Sequence, residues 1–540
     1  MTAHPNHNEE FRFGSADWSD EIDLRRAGLF AAKGLQIGYW GKRPVFVDGD
    51  APIVLVGGAG SGKLRDTLSF IVCKSPGQRK LVLDPRGEIA AISLHNFARY
   101  GEHAYCFNPA GLHGLPQHRL NPLDILKPDS PTLYSDAKFI AEGLIPLSGG
   151  GSARYFELRA RQWLEALMIA LTLHDGSVDF ASLMTVVNAI ESDPQVWGGV
   201  LEFMLDSNEE VLRSTAAELL TKQQESEKEF GAIIGEVFAY LSVFNDPLLQ
   251  ASLSEPDLSL EDLCDSSRVN HLFLNVPIEY VGIWSPLLRV IFTVGMLYKG
   301  RHPSAPRLNL IADEAGQLGR FEGLLRAFTF GRGAGIRALA VFQDIGQVKR
   351  NFGAEALQGF MGSAQTRLFY GVRDLETAEY VSNMLGTQTL EYDEDLNQST
   401  SERHKKEIVR RVMNGEDPTA LANEYRQHKF AENYKTKQSR ALMTPSEVLA
   451  MPEDSMIAFV SGKDLDPLYL HKRAYFHERS MAGFYLPNPY HPPKDRVRIQ
   501  TRFGARWRKV ITAPVPERYS HYPQYQSGTW SYVQGHKPSS

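Results

Sequence analysis

The residues best suited to chemistry lie in Val54-Leu-Val-Gly-Gly-Ala-Gly-Ser-Gly-Lys63, an apolar run that breaks into glycines and ends in a lysine. Gly57, Gly58, Gly60 and Gly62 let the backbone curl so that successive N–H groups point inward at a polyphosphate, and Lys63 reaches the outer phosphates as a point charge. A helix beginning at Leu64 adds its N-terminal dipole. The loop of Gly57, Gly58, Ala59, Gly60, Ser61, Gly62, Lys63 and Leu64 is therefore a candidate for holding a nucleotide's phosphates with Mg²⁺. It follows G-x-x-x-x-G-K-[ST] from Gly57 to Lys63 and fails at the last position, where Leu64 replaces the hydroxyl that ligates the metal. Glycine-rich turns ending in lysine also serve as plain strand-to-helix connections, so the loop alone leaves both readings open.

A second apolar strand, Arg307-Leu-Asn-Leu-Ile-Ala, ends in Asp313 and Glu314. Opposite a phosphate loop, the first carboxylate orients a Mg²⁺-bound water and the second polarises the attacking water as a base. The alternative is two acids capping the next helix. Gln343 ends the following strand, where its amide can sense the outer phosphate or simply face solvent. Gly331-Arg332-Gly333-Ala-Gly335 sets an arginine in a flexible turn, suited to neutralising transition-state charge in its own subunit or in a neighbour within a ring. Arg332 stands ahead of Arg337 for that role, and a solvated turn arginine is the plain alternative. Asp84 and Glu88 follow another buried strand, near the crevice where ligands bind in such sheets, as metal contacts or helix caps.

Lys494 to Lys509 (KDRVRIQTRFGARWRK) carries seven basic residues with Phe503 and Trp507 interleaved. Arg496, Arg498, Arg502, Arg506, Trp507 and Arg508 suit phosphate contacts combined with base stacking. A solvated tail or a patch for an acidic partner fits the same residues. Nothing resembles a Ser-His-Asp triad, and the sixteen histidines show no metal-ligand spacing.

The elements that must position these groups alternate along the chain. Strands at Val54, Lys80–Asp84 and Tyr105–Pro109, separated by helical stretches, predict an α/β fold with a parallel, doubly wound sheet. From about 130 to 250 the strand signal vanishes and helical periodicity takes over, with Trp163, Leu167, Ala170 and Leu171 on one face. Strands resume at His271–Val276, Arg307–Glu314, Ala338–Gln343 and Ser455–Val460. The expected organisation is a loose N-terminus (1–13), a nucleotide-binding domain in two parts (14–130 and 256–485), an inserted all-α domain (131–255), a polar excursion at 391–440 and a basic, aromatic, flexible tail (486–540). A chain of 540 residues is too long for one core. Its net charge of −6 argues against coating nucleic acid everywhere while permitting a local basic patch. Cys73, Cys106 and Cys264 lie too far apart for a zinc or disulfide framework, which fits a reducing cytoplasm. No run reaches the ~18 apolar residues needed to span a bilayer.

Taken in order, GSADWSDEIDLRRAGL, GGAGSGK, DPRGE, FNP, LNPLD, YFELRARQWLEAL, FNDPLL, LIADEAGQLGRFEGLLRAF, GIRALAVFQD and LMTPSEVLAMPED resemble the TraG-type coupling ATPases of type IV secretion and conjugation systems, over about residues 14 to 490. The resemblance implies a RecA-like P-loop NTPase core with an inserted all-α domain, homo-hexameric assembly, and ATP-driven transfer of DNA and of relaxase or secreted effector proteins to a type IV secretion channel. It places Lys63 on the phosphate-binding lysine, Asp313 and Glu314 on the metal and water carboxylates, Gln343 on the phosphate sensor and Arg332 on the intersubunit arginine. Three features depart from the family. Its members usually begin with a two-helix membrane anchor, whereas this chain starts almost at the GSADW box, so it is expected to be cytoplasmic, or peripheral at the inner membrane through a membrane-anchored partner. Leu64 stands where relatives carry a small or hydroxylated residue. The strand-end DEF of many relatives is Asp313-Glu314-Ala315 here. Two readings follow: a translocation motor that hydrolyses ATP and moves single- or double-stranded DNA, or an adaptor that delivers substrates to an anchored relative without turnover.

Overall fold

The computed structural model describes residues 11–147, 150–151, 153–392, 395–433 and 436–538. The loose start expected for residues 1–13 falls, for its first ten residues, outside the described residues, as do positions 393–394 and 434–435 of the polar excursion.

The strands among the described residues are, in chain order, β1 Leu35–Trp40, β2 Arg43–Val47, β3 Ile53–Gly57, β4 Arg79–Pro85, β5 His103–Phe107, β6 Asn270–Val276, β7 Leu308–Ala312, β8 Ile336–Phe342, β9 Thr366–Tyr370, β10 Thr387–Tyr392, β11 Thr436–Ala441, β12 Ser455–Val460, β13 Leu468–His471, β14 Arg496–Thr501, β15 Gly504–Pro514 and β16 Thr529–Val533. Eleven of them form one sheet in the order β2-β1-β13-β12-β9-β3-β8-β7-β4-β6-β5. From β9 to β5 every pairing is parallel. β12 adds antiparallel to β9, and β1 pairs antiparallel with both β13 and β2. Every residue of β3, β4, β6, β7 and β8 is buried, as a parallel sheet covered on both faces requires. That burial is why these strands read as unbroken apolar runs. Because β3, β7 and β8 run the same way, the loops at their C-terminal ends share one edge of the sheet.

Between β5 and β6 the chain is helical, with helices at Leu133–Leu144, Ala153–Asp175, Phe180–Ser192, Pro194–Asp206, Glu210–Glu225 and Glu227–Leu241. Local signals set their starts. Asp179 and Ser182 form a reciprocal capping box, and Asp193 caps the helix that opens on Pro194. Trp163 is buried in the packing of this block, and Phe180 stacks on Phe244 with ring centroids 3.9 Å apart. Arg289, on the helix Ser285–Arg301, ties the block to the sheet: its buried guanidinium donates to the carbonyls of Gly143, Leu144 and Leu318 at 2.6, 3.1 and 3.0 Å. Burial lowers its pKa to about 10.

The chain divides into two compact units, one made of Met1–Asp20, Arg373–Met451 and Asp466–Leu468, the other of the remainder. In the smaller, β10 and β11 form an antiparallel ribbon, Thr387 opposite Ala441 and Leu390 opposite Gln438. The span read from sequence as a polar excursion supplies the helices Asp395–Met413 and Pro418–Asn433 between those strands. The Gly14–Trp18 box runs along β10, with the Ala16 N–H donating to the Thr387 carbonyl at 3.0 Å and the Thr389 hydroxyl to the Gly14 carbonyl at 3.0 Å.

The C-terminal stretch differs from the flexible tail expected of it. β14, β15 and β16 form an antiparallel sheet with Arg496 opposite Lys509, Arg498 opposite Trp507 and Val510 opposite Val533. Val497, Ile499 and Val533 are buried in an apolar cluster with Tyr39, Phe70 and Cys73. The alternation of Arg496, Val497, Arg498 and Ile499 is the period of a half-buried strand, and the density of charge conceals it.

Candidate functional site

β3 lies inside the sheet, flanked by β9 and β8, and delivers its glycine loop to the edge where the parallel strands end. The loop closes on itself through the Ser61 N–H to the Gly58 carbonyl at 3.1 Å, and the Gly58 N–H reaches Gly371 at 3.2 Å. Gly60 and Gly62 take φ of +72° and +88°, the left-handed region that favours glycine. A Cβ on Gly62 would also lie 2.3 Å from the Asp66 Oδ2 atom. Lys63 then opens the helix. Its first turn, Leu64–Leu68, is wider than an α-turn, closed by the Ser69 N–H on the Leu64 carbonyl five residues back.

Lys63, Glu314 and Gln343 converge. The Lys63 Nζ lies 3.1 Å from the Gly57 carbonyl and 3.2 Å from the Glu314 Oε1. The Gln343 Nε2 donates to the other carboxylate oxygen, Oε2, at 3.0 Å. Gln343 is itself fixed by its backbone N–H on the Gln347 Oε1 at 2.9 Å. Glu314 holds φ +59°, ψ +45°, a strained conformation for a residue with a Cβ, of the kind that concentrates at functional sites. It turns the carboxylate off the end of β7 toward the phosphate loop.

Asp313 sits differently from its neighbour. Burial, with the Glu314 charge, pushes its carboxyl up to about 7, against the pull of Lys63. Its Oδ1 is buried and has no hydrogen-bond partner among the described residues. A buried oxygen in want of a positive partner, beside a phosphate-binding lysine, suits a hard divalent cation such as Mg²⁺. Asp84 takes the capping alternative. It accepts from the N–H groups of Ile89 and Ala90 at 3.2 and 2.8 Å and from Asn275 at 3.0 Å, and burial raises it to about 7. Glu88 accepts from Asn488 at 2.7 Å.

Leu64 is partly buried and packs against the apolar cluster that anchors the C-terminal sheet. The residue at the metal-hydroxyl position thus holds packing rather than coordination. Arg332 is exposed in the turn before β8, whereas Gln343 follows that strand. Seven strand residues at ~3.3 Å each put the two about 20 Å apart along the sheet. Arg332 therefore cannot serve the phosphate loop of its own chain, and the intrasubunit role is excluded. Arg337 is buried and donates to the Gly49 carbonyl, a structural role. Of the basic stretch, Arg496, Arg498 and Trp507 lie on the exposed face of the β14–β15 hairpin and Arg502 at its turn. Arg506 and Arg508 pair with Ile499 and Val497, on the opposite side of the pleat.

Sequence patterns did not single out Lys472 and Asp66. Both are buried, and the Lys472 Nζ donates to the Ser61 carbonyl at 2.6 Å, lies 3.5 Å from Asp66 and sits 4.3 Å from the centre of the Tyr370 ring. Burial lowers the Lys472 pKa, with Asp66 opposing. Arg65 makes a paired contact with the same carboxylate at 2.7 and 2.8 Å. The available signal was periodicity: Leu468, Leu470 and Lys472 share one face of β13 and its extension, so the lysine had to enter the interior.

The family described as type IV secretory system conjugative DNA transfer matches residues 17–503. The conjugal transfer protein TraG of Agrobacterium fabrum is 23% identical over 466 residues, covering 84% of this chain and 65% of the relative. A TraG of Escherichia coli is 23% identical over 505 residues, covering 84% and 73%. Among solved structures, the plasmid coupling protein TrwB in complex with ADP and Mg²⁺ superposes with a TM-score of 0.61 at 18% identity, covering 87% of this chain and 96% of that one. The fold is thus a RecA-like P-loop core with an inserted helical domain. This chain spans slightly less than two thirds of the Agrobacterium relative's length.

Proposed function

The chain belongs to the type IV secretory system conjugative DNA transfer family, and on that premise we propose that it is an ATP-hydrolysing coupling protein that energises transfer of DNA. The observation that carries the proposal is the convergence of Lys63, Glu314 and Gln343 on one side of the phosphate loop. In this reading the loop N–H groups and Lys63 bind the phosphates of ATP. Glu314 accepts the proton of the attacking water as its oxygen bonds to the terminal phosphorus, and the bond to the bridging oxygen breaks with its electron pair leaving on ADP. Gln343 orients the carboxylate through Oε2. Mg²⁺, held from the protein side by Asp313, would neutralise phosphate charge. TrwB, which shares the fold, is seen with ADP and Mg²⁺.

Because Arg332 lies at the far end of β8 from Gln343, its use in catalysis requires a neighbouring subunit. We propose a homo-hexamer in which Arg332 completes the next site. Relaxase or effector proteins and components of the secretion channel are the further partners of this reading, with the helical block between β5 and β6 as the cargo-facing domain. Among the described residues no helix is long and apolar enough to cross a membrane, and docking through a membrane-anchored partner is part of the proposal. Phosphate release measured with no DNA, single strands and duplex tests the cargo: the reading expects DNA to raise the rate, and a rate indifferent to both forms contradicts it.

One observation favours the adaptor reading. Leu64 turns to an apolar cluster and supplies no metal ligand, as suits a chain that binds nucleotide or substrates without turnover. The strained, doubly hydrogen-bonded Glu314 favours the motor, since delivery alone has no use for a water-activating carboxylate.

A further inference from the structure

The two faces of the β14–β15 hairpin differ in chemistry. Val497 and Ile499 are 4% and 1% exposed, and they share an apolar cluster with Phe70 and Cys73 of the helix that follows the phosphate loop. On the other face Arg496 stands opposite Lys509 and Arg498 opposite Trp507, all of them exposed. At the turn, Phe503 is 80% exposed, and the Arg506 guanidinium lies 5.9 Å from its ring centre. Trp507 is 55% exposed. Among the described residues, the one ion pair on this hairpin joins Arg496 to the adjacent Asp495 at 3.2 Å. Seven cations within sixteen positions, in a chain whose net charge is −6, leave a concentrated positive field here.

Two large aromatic side chains held in water beside the exposed guanidinium groups of Arg498 and Arg502 leave apolar ring surface hydrated, with no return inside the fold. Charge alone suits any anion. Aromatic faces set among the charges suit an anion that also presents flat rings, and such rings are accessible in a single strand but stacked away in a duplex. The antiparallel register fixes the arrangement. Cross-strand neighbours lie about 5 Å apart and successive same-face residues about 7 Å apart, the scale on which consecutive nucleotides of an unstacked strand repeat.

We propose that the outer face of the β14–β15 hairpin, together with the turn that carries Arg502 and Phe503, binds single-stranded nucleic acid. Arg496, Arg498, Arg502 and Lys509 contact the phosphates, and Trp507 and Phe503 stack on bases. The proposal rests on the reading of DNA as cargo and gives that cargo a surface, one whose inner side is packed onto the helix leaving the phosphate loop.

Binding of a fluorescein-labelled oligothymidylate to the full chain, followed by anisotropy at two salt concentrations without nucleotide, tests it. The comparison takes the unmodified chain, an Arg496→Glu/Arg498→Glu variant and a Phe503→Ala/Trp507→Ala variant, each checked by thermal unfolding since all four positions are exposed. Both variants are expected to weaken binding by about tenfold or more. Charge reversal should also flatten the salt dependence, and a matched duplex should bind more weakly than the single strand. Unchanged affinity in either variant overturns the proposal. So does duplex binding equal to single-strand binding, or displacement of the oligonucleotide by polyglutamate at equal charge, which would mark the face as a site for an acidic protein. Lys63→Ala is expected to bind the strand normally, so loss of turnover and loss of strand binding separate the failure of the motor reading from the failure of this one.

Discussion

Lys63 and Glu314, 251 residues apart in sequence, meet with the ammonium nitrogen 3.2 Å from a carboxylate oxygen. The lysine that is to hold the outer phosphates is paired, in the chain by itself, with the carboxylate that is to activate water. A phosphate arriving at Lys63 competes with Glu314 for the same positive charge. The carboxylate released from the lysine stays tethered by Gln343 at its other oxygen, which leaves one oxygen free to take a proton.

This competition sets the first prediction. Glu314→Gln removes the rival negative charge, so ATP should bind more tightly even as turnover falls by on the order of 10²–10⁴-fold, the range for loss of a general base. A fluorescent ATP analogue measures affinity and phosphate release measures turnover. Weaker binding together with lost turnover would contradict the pairing as a competitor.

Asp313 gives a prediction in pH. Its carboxyl is raised from an ordinary value of 3.8 to about 7 in the folded chain, so the folded state holds the proton more tightly than the unfolded one. The wild-type chain without metal therefore loses stability as pH rises from about 4 to 7. Asp313→Asn, a neutral isostere, should match the wild type below pH 4, become progressively more stable than it between those values and keep a constant advantage above 7. Thermal unfolding across that range, in a chelator, checks the sign. The same variant should lose Mg²⁺-dependent turnover.

Leu64→Thr restores the missing hydroxyl, yet it should not restore a metal ligand, because the side chain at 64 faces the cluster of Phe70, Val497 and Ile499. The expected result is a cost of about 1 kcal/mol in stability from lost apolar burial and earlier proteolytic cleavage within the C-terminal sheet, with no tighter Mg²⁺ dependence. An improved metal dependence would show that position 64 reaches the phosphates.

Lys472→Ala leaves the Asp66 carboxylate buried with only Arg65 beside it and strips a donor from the Ser61 carbonyl. Removing one partner of a buried charge pair costs about 3–5 kcal/mol. Lys472→Arg, which keeps the charge, should recover part of the stability. A loop held less firmly should raise KM for ATP more than it lowers kcat, which steady-state kinetics at a permissive temperature resolves.

Much of the site was legible because parallel strands buried on both faces must be continuous apolar runs, and the residues that end them share an edge. Val54 to Lys63, Asp313-Glu314 and Gln343 align on that basis from the strand pattern alone. The simultaneous hold of Lys63 and Gln343 on the two oxygens of Glu314 was not legible, since it depends on a left-handed backbone at Glu314 that no local pattern dictates. Lys472 was missed because its partners Ser61 and Asp66 lie some four hundred residues away and a lysine after a short strand reads as surface. The C-terminal sheet reads as a tail because outward Arg496 and Arg498 outweigh inward Val497 and Ile499. In each case the missing term was a long-range contact that decides which face of an element turns inward.

Whether the chain is a motor turns on Mg²⁺-dependent ATP hydrolysis by the purified chain, measured at concentrations where hexamers form and beside Lys63→Ala and Glu314→Gln. Hydrolysis in the unmodified chain that both substitutions abolish is the expected result. No hydrolysis, with or without DNA, or a rate that survives Glu314→Gln, would contradict it and leave the chain as an adaptor.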